Sequence, residues 1–102
     1  MDRKEFIKNE IIQYPEDPFN HYLLGMEYQK EGDINGALGS FKYIATTFPD
    51  YIALYYTLAT LLLETNKDEE AKKYILQGII EAEKKGAAKA MKELKQLLEL
   101  NF

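Results

Sequence analysis

Apolar residues recur at spacings of three and four along almost the whole chain, which is the pattern of helices with one buried face. No stretch shows a sustained alternation of apolar and polar residues, so no strand is predicted. Six helices are predicted instead, at about 3–14, 18–30, 34–48, 52–65, 68–85 and 87–100. The short links between these segments favour antiparallel packing of neighbouring helices. The predicted fold class is therefore all-α.

Prolines, glycines and short polar residues set the expected helix ends. Pro18 suits the first turn of the second helix, where its missing N–H leaves no hydrogen bond unmade. Gly32 can adopt the left-handed conformation that ends a helix, and Asp33 can accept hydrogen bonds from the first amides of the third. Asn66 or Asp68 is expected to cap the fifth helix in the same way.

The same spacing assigns residues to buried and outer faces. Gly25 lies on the buried side of the second helix, where a small residue allows another helix to approach closely. Gly36 and Gly39 are predicted on the outer face of the third helix, which they weaken by up to about 1 kcal/mol each. On the first helix, Phe6, Ile7, Ile11 and Tyr14 fall on one face.

Sliding the chain against itself by 34 residues reveals an internal repeat. Pro15 then meets Pro49, and a period of two helices with this length indicates a helical-repeat fold. The further matches are Leu24-Gly25 with Leu58-Ala59, Tyr22 with Tyr56, Ala37 with Ala71, and Phe41 with Ile75.

In this register the sequence resembles the tetratricopeptide repeat family, whose pattern is a large residue, x₂, Leu-Gly, x₂, Tyr, then Ala, x₃, Phe, then Pro. The first copy reads His21-x₂-Leu24-Gly25-x₂-Tyr28, Ala37-x₃-Phe41 and Pro49. The second copy is looser and reads Tyr55-x₂-Leu58-Ala59-x₂-Leu62 and Ala71-x₃-Ile75, with Glu83 in place of the closing proline. The resemblance implies a right-handed α-solenoid of about three antiparallel helix pairs.

The repeat also predicts the organisation of the chain as a single domain over 1–102. The helix at 3–14 resembles the second half of an earlier repeat, 18–51 and 52–85 are the two repeats, and 87–100 is a capping helix. The charged start MDRKEFIKNE contains no apolar segment typical of a signal peptide, and the final helix ends LELNF. We expect a complete small protein that stays in the cytoplasm.

Charge and composition disfavour several partners. The 102 residues carry a net charge of −4, with 5 basic and 9 acidic residues in 1–51 and 8 of each in 52–102. An acidic chain repels phosphate backbones, so no nucleic-acid partner is expected. No apolar run reaches the 18–20 residues that span a bilayer, so no membrane partner is expected either.

Residues for catalysis, metal or cofactor binding are nearly absent from the sequence. One histidine and no cysteine cannot form a Cys–His pair or a zinc cluster. His21 occupies the large-residue position of the repeat, where a packing role is favoured. We therefore predict no catalytic, cofactor or metal site, and no enzyme.

The resemblance implies that the first helix of each repeat lines a concave groove that binds a peptide or an amphipathic helix. The groove positions carried over from the first repeat are Phe19, Tyr22, Met26, Gln29 and Lys30. Those from the second are Ala53, Tyr56, Thr60, Leu63 and Glu64. The set is mostly aromatic and apolar, so a protein–protein interaction adaptor is predicted.

Two alternatives to this adaptor remain open from the sequence. The same surface could join two copies of the chain in a homodimeric scaffold, or some of its residues could be covered by the first or last helix. A chaperone-tail receptor is not expected. Family members of that class carry Lys and Asn, then Asn, then Lys and Arg at sites that here read Tyr22 and Met26, then Thr57, then Ala87 and Met91.

Overall fold

The computed structural model describes residues 2–102, and these residues form six α-helices without any strand. The helices are α1 (Arg3–Gln13), α2 (Pro18–Lys30), α3 (Ile34–Thr47), α4 (Ala53–Glu64), α5 (Asp68–Lys85) and α6 (Ala88–Asn101). The all-α helical-repeat class is confirmed, and each helix end lies within one residue of its predicted position. The chain divides into two compact units, one ending at Phe48 and the other beginning at Pro49.

The first unit contains α1, α2 and α3. Helix α3 buries its apolar face against α2, through Ala37, Leu38, Phe41, Ile44 and Ala45. Each helix of this unit begins at an aspartate whose carboxylate accepts a main-chain N–H of the first turn, as is typical of N-caps. These aspartates are Asp2, Asp17 and Asp33.

Helix α1 packs on α2 with one buried side chain and two ion pairs. Ile7 is its one fully buried side chain, while Phe6 and Tyr14, predicted on the same face, are more than half exposed. Within this unit α1 packs mainly on α2, which leaves much of its surface uncovered. Two ion pairs join the helices, from Arg3 to Glu27 at 2.6 Å and from Lys4 to Glu31 at 3.0 Å.

The second unit contains α4, α5 and α6. Helix α4 is buried over much of its circumference, as predicted, because it contacts both α5 and α6. None of the three helices has a side-chain N-cap, so the predicted caps at Asn66 and Asp68 were wrong. Asp68 is instead the first residue of α5, and Asn66 takes the left-handed conformation with φ of 61°. Asn66 thus occupies the position that Gly32, with φ of 82°, holds one repeat earlier.

Two glycines of α3 have different surroundings. Gly39 has open space around it and is exposed, as predicted. A Cβ atom on Gly36 would lie 2.7 Å from the Asp33 carboxylate and 2.9 Å from the Tyr28 ring, so its predicted place on the outer face was wrong. Gly36 instead allows the aspartate cap and the tyrosine to approach the start of α3. The Tyr28 ring has the ammonium of Lys4 at 5.3 Å from its centroid.

Candidate binding surfaces

One candidate surface lies on α2, in the first unit. Phe19, Tyr22 and Met26 follow one another at spacings of three and four, which places them on one side of the helix. Phe19 is 49% exposed and Met26 is 43% exposed, values that are high for large apolar side chains. Lys30 is exposed at the end of the helix and Gln29 is half-buried. The α2 surface is therefore an apolar strip that ends in a cation.

Tyr22 is the residue of the α2 surface whose ring contacts Phe41. It is half-buried, and its ring centroid lies 5.8 Å from that of Phe41 at an angle of 48°. Phe41 is fully buried because Gly25 leaves room for its ring; a Cβ atom on Gly25 would lie 2.8 Å from Phe41 Cδ1. The family motif residues at 25 and 41 thus support an aromatic side chain of the candidate surface.

A second candidate surface lies on α4, in the second unit. Tyr56 is 44% exposed and Glu64 is exposed, whereas Thr60 and Leu63 are half-buried. The Thr60 hydroxyl donates to the main-chain oxygen of Thr57 at 3.0 Å, so its hydrogen-bonding capacity is partly satisfied within the helix. This α4 surface is less apolar than the α2 surface, since Tyr56 is its one large exposed apolar side chain.

His21 has the packing role that the sequence predicts. Its ring centroid lies 4.7 Å from that of Tyr43 and 6.3 Å from that of Phe48. Burial lowers the pKa of His21, and the nearby Asp17 carboxylate acts in the opposite direction. A neutral imidazole stacked between two helices of one pair contributes to packing.

A hydrogen-bonded tyrosine in the second unit was not predicted from the sequence. The Tyr55 hydroxyl donates to the main-chain oxygen of Pro49 at 2.6 Å and accepts from Gln77 Nε2 at 3.1 Å. Burial raises the pKa of Tyr55 to about 12, although the Gln77 hydrogen bond acts in the opposite direction. The repeat register could have indicated this contact, because Tyr55 and Gln77 occupy the positions of His21 and Tyr43 one repeat earlier.

In residues 2–102, no group of three or more His, Cys, Asp or Glu residues could hold a metal ion. Within the same residues, no helix is both long enough and apolar enough to cross a bilayer. The surfaces on α2 and α4 are therefore the candidate sites that the sequence and the structure share.

Comparisons with known proteins agree with the motif. A family model described as "Tetratricopeptide repeat" matches residues 28–94. The solution NMR structure of a tetratricopeptide repeat domain protein from Salinibacter ruber is similar at 35% identity and a TM-score of 0.77, covering 81% of this chain and 84% of that one. A crystal structure of a tetratricopeptide repeat domain protein from the same organism has 34% identity and a TM-score of 0.73, covering 80% and 91%. No curated protein matches the chain.

Proposed function

Because the chain belongs to the tetratricopeptide repeat family, whose domains are generally non-catalytic protein–protein interaction modules, we propose that it is an adaptor for a peptide or an amphipathic helix. The surface on α2 and the surface on α4 are each proposed to bind such a ligand. The proposed place of action is the cytoplasm. The absence of catalysis is part of the same proposal.

The observation that carries this proposal is the exposure of large apolar side chains on the first helix of each repeat. Phe19, Met26 and Tyr56 each leave almost half of their surface in contact with water. Burying such side chains in a complex is favourable by about 25 cal/mol for each Å² of apolar surface removed from water. Tyrosine is also enriched among the residues that contribute most to protein interfaces, and methionine adapts its shape at binding surfaces.

The half-buried residues of the two surfaces support an apolar ligand. Tyr22 is fixed by its contact with Phe41, so little conformational entropy is lost when a ligand covers it. Thr60 already donates within α4, so a ligand need not provide an acceptor for its hydroxyl. A ligand helix that presents apolar side chains every three or four residues matches these features.

Selection from a phage-displayed library of helix-forming peptides tests the proposal. The Kd of the best peptide is measured by fluorescence anisotropy for wild type, Phe19→Glu, Tyr56→Glu and the double variant. We expect the substitution on the surface that binds the selected peptide to weaken binding about tenfold, which corresponds to about 1.4 kcal/mol. Leu100→Glu is the matched control, because Leu100 is an apolar residue of α6 that is 84% exposed.

Two outcomes would contradict the peptide-binding proposal. Equal peptide affinity in wild type and the Phe19→Glu/Tyr56→Glu double variant would place the site elsewhere. A wild-type dimer that this double variant dissociates, seen by light scattering, would favour self-association through the same side chains. Melting temperatures of all variants, measured by circular dichroism, show whether a loss of binding reflects loss of the fold.

A further inference from the structure

Helix α5 has an apolar pair of residues that is uncovered in the structure. Leu76 is 44% exposed and Ile80 is 54% exposed, although the neighbouring face of the same helix packs on α4 and α6. The equivalent residues of the first repeat are Lys42 and Thr46, both of them polar. The exposed pair is therefore a feature of the second repeat alone and is not required by the repeat motif.

Charged residues extend this pair into a regular strip along α5. Lys73, Leu76, Ile80 and Glu83 follow at spacings of three, four and three, which is the spacing of the contact line between two packed helices. Lys73 and Glu83 are both exposed. The Lys73 ammonium lies 5.2 Å from the centroid of the Tyr74 ring. In the described part of the chain, neither Lys73 nor Glu83 has an ion pair.

The α5 strip, defined as Lys73, Leu76, Ile80 and Glu83, is complementary to itself in the antiparallel direction. When two copies are related by a two-fold axis between Leu76 and Ile80, Leu76 of each faces Ile80 of the other. The same operation places Lys73 opposite Glu83 twice. In a parallel arrangement Lys73 would instead face Lys73, with like charges in contact.

We propose that the α5 strip joins two copies of this chain in an antiparallel, two-fold symmetric dimer. Leu76 and Ile80 supply the apolar contact, and the two Lys73–Glu83 pairs determine the direction and register of the helices. Because each copy contributes two apolar side chains, the interface is small and the dimer dissociates on dilution. This surface is distinct from the side chains of α2 and α4 proposed to bind a peptide.

Analytical ultracentrifugation across a range of protein concentrations up to about 1 mM, chosen for a weak complex, tests this dimer. Wild type is expected to shift from monomer to dimer as concentration rises. Leu76→Lys/Ile80→Thr, which restores the residues of the first repeat, is expected to remain monomeric over the same range. Phe19→Glu/Tyr56→Glu is expected to dimerise like wild type, since it leaves the α5 strip intact.

Charge exchange tests the direction of packing. Lys73→Glu and Glu83→Lys are each expected to weaken self-association, because each places like charges opposite one another. An equimolar mixture of the two variants is expected to form heterodimers, and the double variant Lys73→Glu/Glu83→Lys is expected to regain the wild-type dimer. Lys73 and Glu83 are both exposed, and melting curves show whether the variants are folded.

A wild-type chain that stays monomeric at the highest concentration would overturn the dimer proposal. So would a dimer that survives Leu76→Lys/Ile80→Thr, or one lost in Phe19→Glu/Tyr56→Glu. A mixture of the single charge variants that associates no better than either alone would refute the antiparallel register.

Discussion

Gly25 and Gly39 allow one substitution to be compared at two sites within the first unit. Both glycines lie inside helices, so replacing either by alanine should stabilise the helix itself by about 0.8–1 kcal/mol. The two sites differ in their surroundings. An added Cβ atom meets nothing within 4 Å at Gly39, whereas at Gly25 it overlaps the ring of the fully buried Phe41.

The expected free energies of unfolding therefore change in opposite directions. Gly39→Ala should be more stable than wild type by about 0.8–1 kcal/mol. Gly25→Ala forces the Phe41 ring or helix α2 to move, and such overpacking costs about 1–3 kcal/mol. The net loss of stability is this cost less the stabilisation of the helix by alanine. The difference between the two variants is the packing cost alone, about 1–3 kcal/mol. For a chain of this size each 1 kcal/mol shifts the melting temperature by about 4–8 °C.

Urea denaturation followed by circular dichroism at the helix band measures this difference. Coincident transitions from tyrosine fluorescence and circular dichroism are needed before the curves are converted to free energies. Gly25→Ala/Phe41→Leu serves as the control, because a smaller side chain at 41 should relieve part of the overlap. A Gly25→Ala variant as stable as Gly39→Ala would refute the account of Gly25 as a close-packing residue.

Three further predictions concern titration and backbone conformation. Because the pKa of Tyr55 is raised, its stabilising contribution is complete below pH 10 and is lost between pH 10 and about 12. Urea denaturation across this pH range should show the free energy of unfolding falling by about 2 kcal/mol, and Tyr55→Phe should not show this fall. Because the pKa of His21 is lowered, its contribution to stability is complete above pH 6.5 and declines as the pH falls below that value. Melting curves of His21→Tyr should lack this decline. Asn66→Gly should raise the melting temperature by relieving a left-handed residue, whereas Gly32→Ala should lose about 1 kcal/mol; equal effects of both would contradict the φ angles.

The helices and their pairing could be predicted from the sequence because local signals and the 34-residue repeat agreed. The buried face of α3 is a clear case: Ala37, Phe41, Ile44 and Ala45 recur with helical spacing, and all four are buried. Two kinds of feature were missed. Apolar spacing placed Phe6 on one face of α1, but spacing does not show whether another helix covers that face, and Phe6 is more than half exposed.

The missed polar features depend on contacts between residues far apart in sequence. Tyr55 is a large residue in the motif, yet the partners of its hydroxyl are a main-chain oxygen at Pro49 and the amide of Gln77. The spacing in the sequence places Gly36 on the outer face of α3, but in the structure the Tyr28 ring lies close to it. On α2 and α4 the motif placed the candidate side chains, and the structure added how exposed each one is.

The close approach of Gly78 to Tyr55 has a consequence for how such a chain can evolve. A Cβ atom at position 78 would lie 2.6 Å from Tyr55 Cβ, and the first repeat has Ile44 at the matching position. In a chimera with α3 in place of α5, Ile44 would therefore collide with Tyr55 of α4. A crossover between the two helices of a pair would bring an isoleucine against Tyr55, whereas inheritance of α4 and α5 together keeps Gly78 beside Tyr55.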